Sequence, residues 1–205
     1  MYRIKDLIVG EFTINKSQFI TYLQRAENEE QANNFIAKIK KEHPKASHHC
    51  QATLINESLQ GSNDDGEPSG TAGIPMLEIL RKKNMELIVA VVVRYYGGVK
   101  LGAGGLIRAY SKGVNDALNS TTIYKVLNMD KYEVIVDYKY ADQVEHLLNN
   151  KDLLNKDYQM QVSFTYLNND KSFNNQIKEM TSGQAIVKKL ENVEVEIAVK
   201  ENEDD

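Results

Sequence analysis

The sequence has no tryptophan, one cysteine and three prolines in 205 residues. The lone Cys50 excludes an internal disulfide framework and fits a reducing compartment. No apolar run approaches membrane-spanning length, and the N-terminus, MYRIKDLIVGEF, lacks the basic-then-apolar layout of a secretion signal. A soluble, cytoplasmic protein is expected. Basic excess is also scarce. Residues 1–124 carry 15 Lys+Arg against 13 Asp+Glu, whereas residues 125–205 carry 10 against 16. Any nucleic-acid contact therefore belongs to the first half, and a broad basic stripe is excluded.

Glycine and proline are unevenly placed. Ten of the twelve glycines lie between Gly61 and Gly113, all three prolines fall in the first half, and the second half holds Gly183 alone. This shift in composition puts a boundary near residues 124–128. It divides the chain into domains 1–126 and 127–205, the second ending in an acidic tail, 201–205.

In the first domain residues 18–25 read as a strand. Asn28 then caps a helix whose buried face is Ala32, Phe35, Ile36 and Ile39. A strand over 47–55, a helix over 71–83 and a fully apolar strand over 87–93 follow. Ala103, Leu106, Ile107, Tyr110, Val114, Ala117 and Leu118 trace one face of a long helix, opposite a polar stripe of Arg108, Lys112, Asn115 and Asn119. In the second domain apolar residues alternate at Tyr132–Val134–Val136, at Val162–Phe164–Tyr166 and at Val193–Val195–Ile197. A short strand over 153–156 and two helices complete the order βαββαβ, the ferredoxin-like split-βαβ plan. The fold class is α+β.

Three stretches carry chemistry. The first, RYYGGVKLGAGG (94–105), packs five glycines between a strand and a helix start. Such a junction makes an anion site, because free N–H groups and the helix dipole point to one place. Walker A spacing fails because no Lys-Ser/Thr follows the last glycine, and GxGxxG fails because Ile107 stands at the third glycine position. Two readings remain: an anion site, or glycines serving tight turns and close packing. The second stretch, GSNDDGEPSGTAG (61–73), offers Asp64, Asp65 and Glu67 as oxygen ligands, without the spacing of an EF-hand. Its alternative is a polar turn bonded to local backbone, with Ser69 or Thr71 capping the next helix. The third is His48-His49-Cys50. Strand alternation puts His48 with Cys50 and His49 with Gln51, so the two histidines do not chelate one ion. His48 reads as packed, and His49 as half-exposed toward the glycine loops.

SHHCQA (47–52), GSNDDGEPSGTAG (61–73), VVVRYYGGVKLGAGGL (91–106) and RAYSKG (108–113), in this order and spacing, resemble the IMPACT/YigZ family, and its bacterial branch in particular. The resemblance covers the first domain by motif and the second by layout. It implies a ribosomal protein S5 domain 2-like fold followed by a ferredoxin-like domain, a pair that resembles domains IV and V of elongation factor G. Eukaryotic relatives modulate translation under amino-acid starvation. For this chain the resemblance implies a link to translation and a non-enzymatic binding role without a cofactor, its partner the ribosome, RNA or a translation factor. The contact surface would comprise Arg94, Gly97, Gly98, Lys100, Gly102, Gly104, Gly105, Arg108 and Lys112, with Tyr95 or Tyr96 available for stacking on a base. The rival is a phosphate- or metal-dependent enzyme that gathers His49, Asp64, Asp65 and Glu67 beside the same glycine loop.

Overall fold

In the computed structural model, which describes residues 1–149 and 151–199, the elements run β1 (Tyr2–Arg3), β2 (Ile8–Ile14), β3 (Ser17–Arg25), α1 (Glu29–Glu42), β4 (His48–Leu54), β5 (Gln60–Asn63), α2 (Gly73–Lys82), β6 (Ile88–Tyr95) and α3 (Gly102–Asn119). They continue with β7 (Tyr124–Val136), α4 (Tyr138–Leu148), β8 (Asp152–Tyr158), β9 (Val162–Asn168), α5 (Lys171–Met180) and β10 (Ile186–Ala198). Two compact units emerge. One spans Met1–Val126 together with the described residues from Glu196 onward, and the other spans Leu127–Val195. No helix among the described residues is long and apolar enough to cross a membrane.

The first unit is built on an antiparallel sheet of order β2-β3-β6-β4-β5. Its centre is β6, whose apolar run is buried on both faces. Ile88, Ala90 and Val92 join the core beneath α2 and α3, while Val89, Val91 and Val93 join the core beneath α1. The run has no polar side because neither of its faces meets water. α1 starts where Asn28 accepts from the Gln31 N–H at 2.9 Å, and it buries Ala32, Phe35, Ile36 and Ile39, the face read from the sequence.

α3 departs from the sequence pattern. Its buried face includes Ala109 and Gly113, and Ile107 is exposed. The helix rolls toward β3 because Gly113 lets it approach closely: a Cβ there would stand 2.5 Å from Thr21 Oγ1. Small residues at the contact, rather than the bulkiest apolar ones, set the rotation.

β2 and β3 form a hairpin that extends the expected strand. Asn15 and Lys16 take φ values of 46° and 66°, the left-handed pair that matches the twist of a two-residue hairpin. This turn abuts Gly97 so closely that a Cβ on Gly97 would overlap the Lys16 carbonyl.

The second unit carries the order βαββαβ, with β10 pairing β7, β7 pairing β9 and β9 pairing β8. Val134, Val136, Val162, Phe164 and Tyr166 pack with Ala141, Val144 and Leu148 of α4 and Phe173 and Ile177 of α5. The period-two pattern of β7 and β9 thus marks the helix-covered face. β8 is longer than the four residues read from the sequence. The acidic tail, 201–205, lies outside the described residues.

Gly97→Ala should destabilise the chain by about 2 kcal/mol, within the usual range for forced overpacking. Gly10→Ala, where a Cβ meets nothing within 4 Å, should shift it by no more than about 0.5 kcal/mol. Urea unfolding of the two variants checks the contrast.

Candidate anion-binding cleft

Arg94 follows the valines of β6 and, although charged, is only 4% exposed. Antiparallel register sets it opposite Phe19 on β3 and His48 on β4, so these side chains share the face beneath α3. Its Nη1 donates to Glu67 Oε1 at 2.7 Å, and its Nη2 donates to Ser17 Oγ at 3.3 Å. The Tyr110 hydroxyl of α3 donates to the same Glu67 oxygen at 2.7 Å. A pair this deeply desolvated adds little net stability, yet losing one partner strands the other charge. The Arg94 Nε–H is buried and finds no acceptor among the described residues. Such an unmet donor costs about 1–3 kcal/mol.

His48 stands beside this pair. Its Nδ1–H donates to the Asp65 carbonyl at 2.9 Å, which leaves Nε2 facing Glu67 Oε1 at 3.9 Å. Cys50, on the same face of β4, is fully buried, and its thiol donates to the Asp64 carbonyl at 3.0 Å. Burial pushes that thiol up to about 12, so it stays protonated and inert at neutral pH. Burial likewise raises the Tyr110 hydroxyl and keeps it a donor.

The carboxylates of the 61–73 loop go to three different places. Asp64 accepts from the N–H groups of Gly70 at 2.7 Å, Ala72 at 3.0 Å and Gly73 at 2.8 Å. Burial alone would raise its carboxyl, but these donors outweigh it and hold the group below its ordinary range. Asp64 is therefore the anion at the start of α2, the role the sequence suggests for Ser69 or Thr71. The Thr71 hydroxyl donates instead to the Pro68 carbonyl. Asp65 turns toward α1, where it accepts from Lys40 Nζ at 2.9 Å and the His49 N–H at 2.7 Å. These contacts outweigh burial and lower its carboxyl too. His49 lies on that α1 side, its Nε2–H donating to the His43 carbonyl at 2.9 Å. The structure thus brings His49 and Asp65 together, leaves Asp64 and Glu67 elsewhere, and puts His48 rather than His49 by the glycine loop. Among the described residues no three His, Cys, Asp or Glu side chains converge as metal ligands.

Above Glu67 and Arg94 opens a cleft of about 430 Å³, lined by His48, Pro68, Tyr96, Lys100 and the 101–103 turn, with Leu106 behind. Gly102, at φ 71°, turns the chain into α3. The α3 N-terminus has no side-chain cap and no acidic residue in its first turn. Cations stand there instead. Lys100 precedes the helix and is exposed. Arg108 folds back over Gly104, its Nη1 3.5 Å from where a Cβ of Gly104 would stand. Neither has an ion-pair partner among the described residues. Lys112 lies further along α3, paired with Asp116 and 5.5 Å from the Phe12 ring.

The two tyrosines part company. The Tyr95 hydroxyl bonds His43 Nδ1 at 2.8 Å on the α1 side, whereas Tyr96 lines the cleft, 46% exposed, its ring 5.3 Å from the Arg94 guanidinium. Of the glycines read as contact surface, Gly97 serves close packing, Gly98 and Gly102 serve positive φ, and Gly104 and Gly105 lie in the first turns of α3. Lys16, His48 and Tyr110 are additions. The hairpin turn carries Lys16 to Gly97, and strand alternation, which already turns His48 inward with Cys50, does not by itself aim it at this cleft.

The Impact N-terminal domain family matches residues 15–118, a span that holds every residue lining the cleft. The chain is 42% identical over 205 residues to IMPACT family member YvyE of Bacillus subtilis strain 168, covering 97% of this chain and 94% of that protein. It is 41% identical over 196 residues to an IMPACT family member of Haemophilus influenzae, covering 91% and 95%. With IMPACT family member YigZ of Escherichia coli K12 it shares 44% identity over 152 residues, covering 71% and 74%. A crystal structure of a hypothetical protein aligns over 98% of both chains with a TM-score of 0.59 and 33% identity.

Glu67→Gln should cost about 3–5 kcal/mol in urea unfolding, because Arg94 stays buried without its counter-charge. Adding Arg94→Met should recover a substantial part of that loss. A double variant no more stable than the single one would show that the stranded charge is not the source.

Proposed function

The chain belongs to the IMPACT family, and from that premise we propose that it is a non-enzymatic, translation-linked module that binds RNA on the ribosome through the cleft at the start of α3. One observation carries the reading: the N-terminus of α3 is uncapped, has no carboxylate in its first turn, and is flanked by Lys100 and Arg108. Cations at the positive end of a helix dipole are unfavourable within the folded chain, and an external anion relieves them. Phosphates are anions of that kind, and the family resemblance directs them to translation. Tyr96 adds an exposed ring beside the cations, the combination that suits single-stranded RNA.

The same reading assigns residues 1–126 to an S5 domain 2-like domain and residues 127–205 to a ferredoxin-like one. The strand order β10-β7-β9-β8 with α4 and α5 on one face supports the second assignment. The acidic second domain leaves the cationic work to the first. The contact set narrows in the process. Lys100 and Arg108 meet phosphate, Lys112 and Lys16 lie further out, and Arg94 acts from beneath, since Glu67 already takes its Nη1.

Co-sedimentation of the full chain with ribosomes should weaken as salt rises. Lys100→Ala combined with Arg108→Ala should lower binding and flatten the log–log salt slope by about 1.5, as two lost phosphate contacts require. Association that ignores salt, or that survives the double substitution intact, would point to a protein partner and overturn the RNA reading.

A further inference from the structure

We propose that the cleft takes one nucleoside 5′-monophosphate unit, its phosphate on the α3 N-terminus and Lys100 and its base against Tyr96. This deepens the RNA reading of the same site and rests on it only for the biological source of the ligand.

The size comes first. A volume of about 430 Å³ falls within the range of single-ligand sites, roughly 300–1,000 Å³, and leaves no room for a run of stacked bases. The walls then divide by chemistry. The N–H groups at Gly102 and Ala103, with Lys100 beside them, form an anion subsite that no side chain of the helix occupies. Pro68, Leu106 and the exposed ring of Tyr96 offer apolar lining beside it. The floor gives an independent sign of a ligand. Arg94 lines the cleft, is more than nine-tenths buried, and keeps an Nε–H without an acceptor among the described residues. Buried N–H groups are almost always met, so an acceptor in the cleft completes it.

Charge selects the form of the phosphate. Glu67 is neutralised by Arg94, so the floor does not repel an anion, and Lys100 has no carboxylate partner among the described residues. A monoester carries close to two negative charges at neutral pH, whereas a chain-internal diester carries one. The uncapped helix end with its lysine therefore favours the terminal group. That group comes either from a free nucleotide or from the 5′ end of an RNA.

The test is NMR titration of the full chain with AMP, adenosine, inorganic phosphate, and a trinucleotide with and without its 5′-phosphate. AMP should saturate and shift the amides of residues 96–104, with adenosine at least about tenfold weaker. Lys100→Ala should weaken AMP about tenfold. Tyr96→Ala should weaken AMP to a similar degree yet leave inorganic phosphate unchanged, since stacking serves only the base. Both side chains are exposed, and unfolding curves verify that the variants fold. Tighter binding of AMP than of the phosphorylated trinucleotide would assign a free nucleotide, and the reverse an RNA end. Adenosine binding as tightly as AMP, or no saturation by about 10 mM AMP, would overturn the inference. In the latter case salt-sensitive ribosome binding would leave the RNA reading standing. AMP binding without ribosome association would sink that reading and keep the cleft.

Discussion

A single carboxylate oxygen ties three segments of the first unit together. Glu67 Oε1 accepts from Arg94 of β6 and from Tyr110 of α3, and Glu67 itself comes from the long loop between β5 and α2. Without that oxygen the Glu67–Pro68 end of the loop would lose its tie to β6 and α3, and only the bonds of Asp64 and Asp65 to β4 would still hold the loop to the sheet. The valines of β6 and the apolar face of α3 supply the stability. The buried charges supply position, because only one arrangement satisfies a desolvated carboxylate and guanidinium together.

The same economy of partners underlies the proposed anion site. Asp64 is committed to α2 through three backbone donors. Asp65 is committed to Lys40 and His49, and Glu67 to Arg94 and Tyr110. Every acidic group of the 61–73 loop thus has a structural task, and the α3 terminus is left with cations. What reads in the sequence as a cluster of metal ligands is, in the fold, a set of separate anchors.

Much of this was legible in the residues. The α1 face, the doubly buried β6 and the βαββαβ order follow from periodicity, and alternation on β4 separated His48 from His49 because side chains on a strand point to opposite sides. Other features depend on contacts distant in sequence and leave no local mark. Asp64 reaches as far as nine residues ahead to cap α2, which no capping rule based on adjacent positions anticipates. Arg94 ends a run of valines like a residue leaving the core, yet a carboxylate 27 positions earlier draws it inside. Gly97 looks like turn chemistry, but its reason is the Lys16 carbonyl of a hairpin 81 residues upstream. Ile107 looks like core, and Gly113, six residues later, rolls it outward.

The proposed function requires ligands to enter between the 64–73 loop, the end of β6 and the start of α3. Photo-crosslinking of the full chain to ribosomes, followed by peptide mapping, reports that point of entry. RNA adducts should concentrate on Tyr96 and Lys100. Adducts confined to residues 127–195, or to the exposed lysines of α1 on the other side of the first sheet, would contradict it.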